Sequence, residues 1–133
     1  MCCIANLELT NKFLEKKRIK VYKGLVITKK REKKELISPY EGWPYAPGVI
    51  VADVCGQRIT ESCPISYGIH VYLSKKSCLD FAEKRDYTVV EFTANIEDLL
   101  GVGTFDNEGP SDNAVFKQVY LSEEEYKRVI KCR

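Results

Sequence analysis

Residues 18–30 read RIKVYKGLVITKK, and the spacing of their apolar side chains decides the fold class. These side chains alternate with polar or small residues at Ile19, Val21, Leu25 and Ile27. Alternation with a period of two is typical of a β-strand with one buried face. The charged turn KKREKKE and the run ELIS follow, and Pro39 then ends the second strand. The stretch therefore predicts a hairpin at the start of a sheet.

Four further runs along the chain have the same strand character. They are VIVADV at 49–54, GIHVYLS at 68–74, YTVVEFTA at 87–94 and NAVFKQVYL at 113–121. Between them, KKSCLDFAEKR places apolar side chains at helical spacing, and IEDLL is expected to form a single helical turn. The segment 104–113, TFDNEGPSDN, is expected to be an acidic loop.

The clearest helical signal lies at the C-terminal end of the chain. Ser122 begins a capping box, in which the side chain of Glu125 is expected to reach back to Ser122. The apolar stripe of this helix consists of Tyr126, Val129 and Ile130. Near the N-terminus, Thr10 is expected to cap a short helix with the sequence NKFLEKK.

The order of these elements predicts an α+β fold, a mainly antiparallel sheet with two or three short helices and a C-terminal helix. We expect residues 1–18 to be an N-terminal extension with some helix, and residues 19–133 to be a single domain. No glycine-rich phosphate loop follows a strand, which argues against a nucleotide site of the Rossmann or P-loop kind.

The composition is that of a globular protein inside a cell. The chain has 133 residues, of which 44% are hydrophobic and 30% are charged. No apolar run approaches the ~18 residues that a membrane-spanning helix needs. The start of the chain lacks the basic-then-apolar order of a signal peptide. We therefore expect a cytoplasmic protein that has no contact with a membrane.

The six cysteines contain no CxxC pair, and the chain has one histidine. Free and mostly buried thiols are expected, because an intracellular protein rarely keeps disulfides and a zinc site would need thiolates from scattered positions. No recognisable pair of catalytic carboxylates or Cys–His nucleophile is present. The sequence therefore predicts no catalytic residue, no metal and no cofactor.

Charge is unevenly distributed along the chain. Residues 12–34 contain eleven Lys and Arg residues and two Glu, a net charge of +9, although the whole chain carries +2. Such a segment can attract an anionic partner. The residues expected to bind an anion are Lys29, Lys30, Arg31, Lys33 and Lys34. A solvated basic hairpin is the favoured interpretation, because little aromatic character besides Tyr22 interleaves with the lysines and single-strand binders usually add several stacking aromatics.

The stretch SPYEGWPYAPG at 38–48 is the best binding candidate. Tyr40, Trp43 and Tyr45 are residue types that anchor protein interfaces, and three prolines stiffen the segment. The alternative is a compact loop in which Trp43 fills the protein's own core. We favour a buried Trp43, with Tyr40 and Tyr45 partly exposed.

His70 is the one side chain expected to titrate near neutral pH without special tuning. Strand alternation places it on the same face as Tyr72 and Ser74. In a cleft, this face would bind a ligand or move a proton. The alternative is a strand face that packs under a helix or is open to water, with His70 hydrogen-bonded.

Several short motifs resemble a loose group of small proteins of unknown function that are common in phages and other mobile elements. The matching pieces are VYKGL, ISPYEGWPYAPG, GIHVYLSKKSCLDFA, VVEF, DLLGVG and AVFKQVYLSEEEY, which together span roughly residues 19–126. The resemblance implies a viral or mobile-element origin, with the cytoplasm of the host cell as the location. It implies no activity.

A second and weaker resemblance is to the ADP-ribosyltransferase fold, in which an early Y(K/R)G strand precedes a Gly-aromatic strand and a helix. By this resemblance, Tyr22, Gly24, His70 and Tyr72 would line an NAD cleft. The late Glu-x-Glu-type catalytic strand of that fold is not matched by VFKQVYL, where Gln118 would replace a carboxylate.

Taken together, these features predict a non-enzymatic binding module that engages a host protein or a small ligand. Its contact residues would be the 38–48 loop and the His70/Tyr72 strand face. The alternative is an ADP-ribosyltransferase-like enzyme or NAD-related nucleotide binder. Nucleic-acid binding through residues 12–34 is a less favoured alternative.

Overall fold

A computed structural model describes residues 3–30, 32–39, 42–53, 56–105 and 108–131. Its strands and helices are, in chain order, β1 (Cys3–Ala5), α1 (Leu7–Phe13), β2 (Arg18–Lys30), β3 (Lys33–Ile37), β4 (Pro44–Tyr45), β5 (Gly48–Val51), β6 (Cys63–Ile65), β7 (Ile69–Tyr72), α2 (Lys75–Glu83), β8 (Thr88–Asn95), β9 (Leu99–Phe105), β10 (Glu108–Phe116), β11 (Gln118–Leu121) and α3 (Glu123–Lys131). A single 3₁₀ turn, Ile96–Asp98, joins β8 to β9.

The strands form one antiparallel sheet, whose main path runs β5-β11-β8-β2-β7-β10-β9-β1-β6. β3 pairs with β2, and β4 pairs with β3. The prediction of an α+β fold with a largely antiparallel sheet, short helices and a C-terminal helix is confirmed at this level. None of the helices in the described part of the chain is long and apolar enough to cross a membrane.

β2 is the longest strand, and besides its single pair with β7 at Tyr22 it has two consecutive partners. Arg18–Leu25 pairs with β8, and Val26–Lys30 pairs with β3. The side chains of Val21 and Leu25 are fully buried, as the alternation of RIKVYKGLVITKK predicts. The tip of the β2–β3 hairpin consequently extends past the end of β8.

The two faces of the sheet carry different cores. On one face, Val21, Phe92 and Phe116 belong to the larger core, against which side chains of α1 and α3 pack. On the opposite face lies a smaller cluster that includes Phe105 and Val115. α2 covers β2 on this second face, because a Cβ atom at Gly24 would lie 3.4 Å from the side chain of Tyr87 and 3.8 Å from that of Ala82.

The N-terminal residues are part of the sheet, which differs from the division that the sequence suggested at residue 18. β1 lies between β6 and β9 and is hydrogen-bonded to both. A Cβ atom at Gly103 would lie 1.9 Å from the carbonyl oxygen of Ile4, so glycine is needed for β1 to approach β9 this closely. Residues 1–18 therefore contribute β1 to the same sheet as residues 19–133, which contain its partners β6 and β9.

The first helix begins earlier than the sequence suggested. Asn6, not Thr10, is its N-cap, and the Asn6 side chain accepts a hydrogen bond from the backbone N–H of Leu9 at 2.9 Å. Thr10 is buried inside the helix. Its hydroxyl donates to the carbonyl oxygen of Asn6 and accepts from the N–H of Val102 on β9. Thr10 therefore attaches α1 to the sheet.

The described residues of the segment 104–113, predicted as an acidic loop, belong instead to β9 and β10; residues 106 and 107 lie outside the described residues. Asn113 is opposite Gly103 and Ala114 is opposite Val102. The predicted helical turn at IEDLL is limited to Ile96–Asp98, because Leu99 and Leu100 already belong to β9 and are buried. Pairing with distant strands overrides the local preference of these residues.

The capping box of α3 is half formed. Ser122 Oγ accepts a hydrogen bond from the N–H of Glu125 at 3.1 Å, as predicted. The Glu125 carboxylate does not reach back to Ser122. It accepts the backbone N–H of Glu91 on β8 at 2.8 Å and two hydrogen bonds from Arg128 at 2.6 and 2.8 Å. Glu125 thus satisfies a strand N–H of β8 where α3 lies beside it.

The charged form of Glu125 is stabilised by these contacts. Burial alone would raise the pKa of this carboxyl. The hydrogen bonds from Arg128 and from the N–H of Glu91 outweigh that effect, so the pKa lies below its ordinary value.

Replacing Glu125 by alanine is expected to destabilise the fold by about 1–3 kcal/mol, because the N–H of Glu91 loses its acceptor in a partly buried place. Urea denaturation measures this loss. Glu124→Ala is the matched control, since Glu124 is exposed on the same helix turn, and a change within about 0.5 kcal/mol is expected for it. Equal effects of the two substitutions would show that Glu125 does not join α3 to β8.

Candidate functional site

The aromatic loop is folded in the opposite sense to the prediction. Tyr45 is buried and packs edge-to-face on Phe92, with ring centroids 5.8 Å apart. Trp43 is 49% exposed. The cause is the register of β4: Tyr45 is opposite Leu36, a fully buried residue, so the Tyr45 side chain shares the core face. Tyr40 lies outside the described residues.

His70 and Tyr72 lie on a covered strand face, as the alternative interpretation held. His70 is 8% exposed, and its ring nitrogens Nε2 and Nδ1 lie 3.1 Å from the carbonyl oxygen of Ile65 and 3.3 Å from that of Gly68. The Tyr72 ring packs between Phe81 of α2 and Phe105 of β9. These two side chains are therefore part of the packing between the sheet and its cover.

The predicted site residues do not converge. Trp43 and Tyr45 line a groove of about 510 Å³, and neither His70 nor Tyr72 is among the described residues that line it. Of the predicted anion-binding residues, Lys29 and Lys33 are exposed at the tip of the β2–β3 hairpin. Arg31 lies outside the described residues. Lys30 and Lys33 occupy opposed positions in the hairpin, as do Lys29 and Lys34.

The groove beside Trp43 follows β5 and continues against the loop before β7. Its wall is formed by residues 43–47, by residues 49–53 of β5 and the segment after it, and by residues 66–69. Most of these side chains are apolar, and Asp53 is the one charged residue among the described residues of the lining. A concave and largely apolar surface with few polar groups is the usual form of a binding site.

Exposed apolar side chains are concentrated around β5. Seven large apolar side chains are exposed in the described part of the chain, and five of these lie on β5 or beside it. They are Trp43 (49%), Val49 (62%), Val51 (63%), Tyr67 (40%) and Tyr120 (48%). Tyr120 is directly opposite Val49 in the sheet, and the other three share the groove with Val49. A cluster of this kind marks an interaction surface.

The backbone of β5 is paired on one side by β11. The N–H of Ala52 donates to the carbonyl oxygen of Lys117, so Ala52 and Ile50 face β11 with their backbone polar groups. By alternation, the N–H and C=O groups of Val49 and Val51 point to the opposite side. No described strand pairs with β5 on that side.

The sequence analysis missed Val49, Val51, Tyr67 and Tyr120 as site residues. VIVADV indicated a strand, and its β-branched residues gave no sign that two of them are exposed. The exposure of these two residues depends on β5 lying at the edge of the sheet, which the sequence of the run does not show. The position of Pro47 and Gly48 directly before the run was the only local signal of a strand end.

A second cavity, of about 240 Å³, is lined by charged groups. Tyr22, Lys75, Glu91, Glu125 and Arg128 surround it. Burial raises the pKa of the Tyr22 phenol, and the nearby carboxylates of Glu91 and Glu125 raise it further. Both carboxylates already have cationic neighbours, with Lys20 3.7 Å from Glu91 and Arg128 bound to Glu125. The charges of this cavity are therefore largely compensated within the protein.

The residues assigned to an NAD cleft by resemblance do not line one common cleft, since Tyr22 lines the cavity of about 240 Å³ and Gly24, His70 and Tyr72 are covered. Tyr22 is opposite Tyr72, Gly24 lies under α2, and His70 is buried. The described residues contain no group of three His, Cys, Asp or Glu side chains that could hold a metal ion. Transferase activity stays a prediction.

The described thiols are buried or half-buried. Cys3 and Cys78 are buried and Cys63 is half-buried. Burial raises the pKa of the Cys78 thiol to about 12, so this thiol is protonated at neutral pH. Cys2, Cys55 and Cys132 lie outside the described residues.

Comparisons of the chain with family models, with curated proteins and with solved structures find no match.

The single histidine allows a direct test of the packing on the second face. Burial lowers the pKa of His70 below its ordinary value of 6.5; the carbonyl of Ile65 opposes this shift, and the nearby Lys23 ammonium adds to it. The pKa of His70 is lower in the folded protein than in the unfolded chain. The contribution of neutral His70 to stability is therefore complete above pH 6.5 and is lost as the pH falls through the folded pKa. Proton NMR of the imidazole is expected to give an apparent pKa below 6.5.

The same titration in concentrated urea is the control, and a value near 6.5 is expected there. A folded-state value equal to the urea value would show that His70 is solvated and that its strand face is open.

Proposed function

We propose that this protein is a non-enzymatic binding module that docks an extended segment of a partner protein along β5. The observation that supports this function is the coincidence of two features at one place. The outward backbone groups of Val49 and Val51 adjoin five exposed apolar side chains and a groove. Addition of a strand to a sheet edge uses such backbone groups for affinity and neighbouring pockets for specificity.

The two ends of the main sheet path differ in a way that favours β5 as the docking edge. β6, at the opposite end, contains Pro64, which has no N–H to donate. Proline is one of the devices by which proteins protect an edge strand from pairing. β5 has the sequence GVIV, which contains neither a proline nor a charged residue. An apolar edge without protection is consistent with a strand that receives a partner.

The chemistry of the groove indicates the partner segment. Its largely apolar lining favours apolar side chains at alternate positions, because alternate residues of an added strand face the same side. Asp53 at the end of β5 favours a Lys or Arg in the segment. Trp43 and Tyr67 would contact the apolar side chains. The expected partner is thus an extended apolar segment with one basic residue.

This proposal keeps one part of the sequence-based site and replaces another. Trp43 stays as a contact residue, and β5 takes the place of the His70/Tyr72 face. A viral or mobile-element origin and a host protein as the partner stay predictions. The ADP-ribosyltransferase-like alternative would be supported by thermal stabilisation with NAD and by transfer of a labelled ADP-ribosyl group.

Replacing Val51 by proline tests whether the backbone edge is used. Proline is tolerated on an edge strand where the N–H faces outward, so the fold should persist. The probe is a displayed library of random 12-residue peptides selected on the immobilised protein, with the best peptide labelled for fluorescence polarisation. We expect Val51→Pro to weaken its binding at least tenfold, because one backbone hydrogen bond is lost and the added strand is obstructed.

Val51→Thr is the matched control, since it keeps the β-branched shape and the N–H, and near-normal binding is expected. Trp43→Ala should remain folded and also lose at least tenfold in affinity, as interface anchors do. The proposal fails if the selected peptides bind Val51→Pro and Trp43→Ala as well as they bind the unaltered protein. It also fails if no peptide is selected. Circular dichroism of each variant separates lost binding from lost folding.

A further inference from the structure

The tip of the β2–β3 hairpin projects beyond the other strands. Leu36 and Ile37 pair with β4 as well as with β2. The three pairs nearer the tip, which join 28 to 35, 29 to 34 and 30 to 33, adjoin no other described strand. We call residues 28–35 the lysine ribbon. Its sequence, TKKREKKE, has five basic and two acidic residues, a net charge of +3.

Like charges oppose each other within the lysine ribbon. Lys29 is directly opposite Lys34, and Lys30 is directly opposite Lys33. Directly opposed like charges destabilise a hairpin, and opposite charges at these positions would stabilise it. The ion pairs found among the described side chains involve Lys12, Lys20, Lys127 and Arg128, and none involves Lys29, Lys33 or Lys34. The opposed lysines therefore repel each other, and a bound polyanion would remove this repulsion.

Positive charge is available on both faces of the ribbon. Lys33 and Lys34 are adjacent on β3, so alternation directs them to opposite faces. Lys29 shares the face of Lys34. At the base of this face, Lys34 Nζ donates to the carbonyl oxygen of Ile130 at 3.3 Å, which connects the ribbon to the C-terminal end of α3. Lys131 is exposed in the last turn of that helix and adds to the positive charge of this end.

We infer that the lysine ribbon binds the phosphate backbone of duplex DNA without sequence preference. The major groove of B-DNA, about 12 Å wide, admits a two-stranded β-ribbon. Lysines on both faces of the ribbon can then contact the phosphates of both groove walls. This surface is separate from the β5 groove, so the inference does not depend on the proposed peptide-binding function.

The composition of the ribbon distinguishes duplex DNA from two other anionic partners. TKKREKKE contains no aromatic residue, and single-stranded nucleic acids are bound by stacking on aromatic side chains. It also contains no aliphatic side chain that could enter the headgroup region of a membrane. A-form RNA has a deep and narrow major groove that side chains do not reach. Duplex DNA is the partner that a charged ribbon without apolar side chains fits best.

Fluorescence anisotropy with a labelled 20-base-pair DNA duplex tests this inference. With three or four phosphates contacted, the affinity should fall about 40- to 150-fold between 50 and 200 mM salt. The double variant Lys29→Gln/Lys33→Gln should bind at least tenfold more weakly at 50 mM salt. The slope of log affinity against log salt concentration should also be smaller by about 2, because two phosphate contacts are lost. Its melting temperature should be unchanged or higher, because the substitutions remove opposed like charges.

The control is Lys12→Gln/Lys76→Gln, which changes the net charge equally at two exposed lysines outside the ribbon. Binding close to that of the unaltered protein is expected for it. Equal weakening by the two double variants would overturn the inference, because net charge alone would then explain binding. Absent or salt-independent binding of the duplex would also overturn it. Ribbon-dependent binding of vesicles containing phosphatidylserine, without duplex binding, would assign the ribbon to a membrane surface instead.

Discussion

The pairing of β2 with two successive partners is the constraint on which the rest of the structure depends. Arg18–Leu25 pairs with β8 in the centre of the sheet, and Val26–Lys30 continues alone with β3. The first pairing places β11 and β5 at one end of the sheet. The second forms the lysine ribbon, which is joined to the C-terminal end of α3 through Lys34. Both proposed binding surfaces thus follow from the length and register of one strand.

Elements with a strong local period were predictable from the sequence. The alternation at Val21 and Leu25 identified β2, and the capping of α3 by Ser122 was predicted correctly. The strands β1 and β9 were missed, because their formation depends on contacts with distant residues. Gly103, for example, admits β1 because it has no side chain, and this role depends on Ile4, which is distant in the sequence.

The candidate site was less predictable than the fold. The aromatic loop was identified, yet the roles of Trp43 and Tyr45 were reversed, because the register between Tyr45 and Leu36 decides which ring is buried. That register is set by a hairpin and cannot be deduced from residues 38–48 alone. The exposure of Val49 and Val51 depends in turn on β5 being the last strand of the sheet path. The residue types of the aromatic loop indicated a binding surface, and the order of the strands determined that this surface lies along β5.

Amide hydrogen exchange of β5 tests the central claim, that this strand offers an unpaired edge. The account predicts that the N–H groups of Ile50 and Ala52, which face β11, exchange slowly, while those of Val49 and Val51 exchange rapidly. On addition of a selected peptide, the amides of Val49 and Val51 should become protected. Slow exchange of all four amides in the free protein would contradict the account, because the edge would then already be paired.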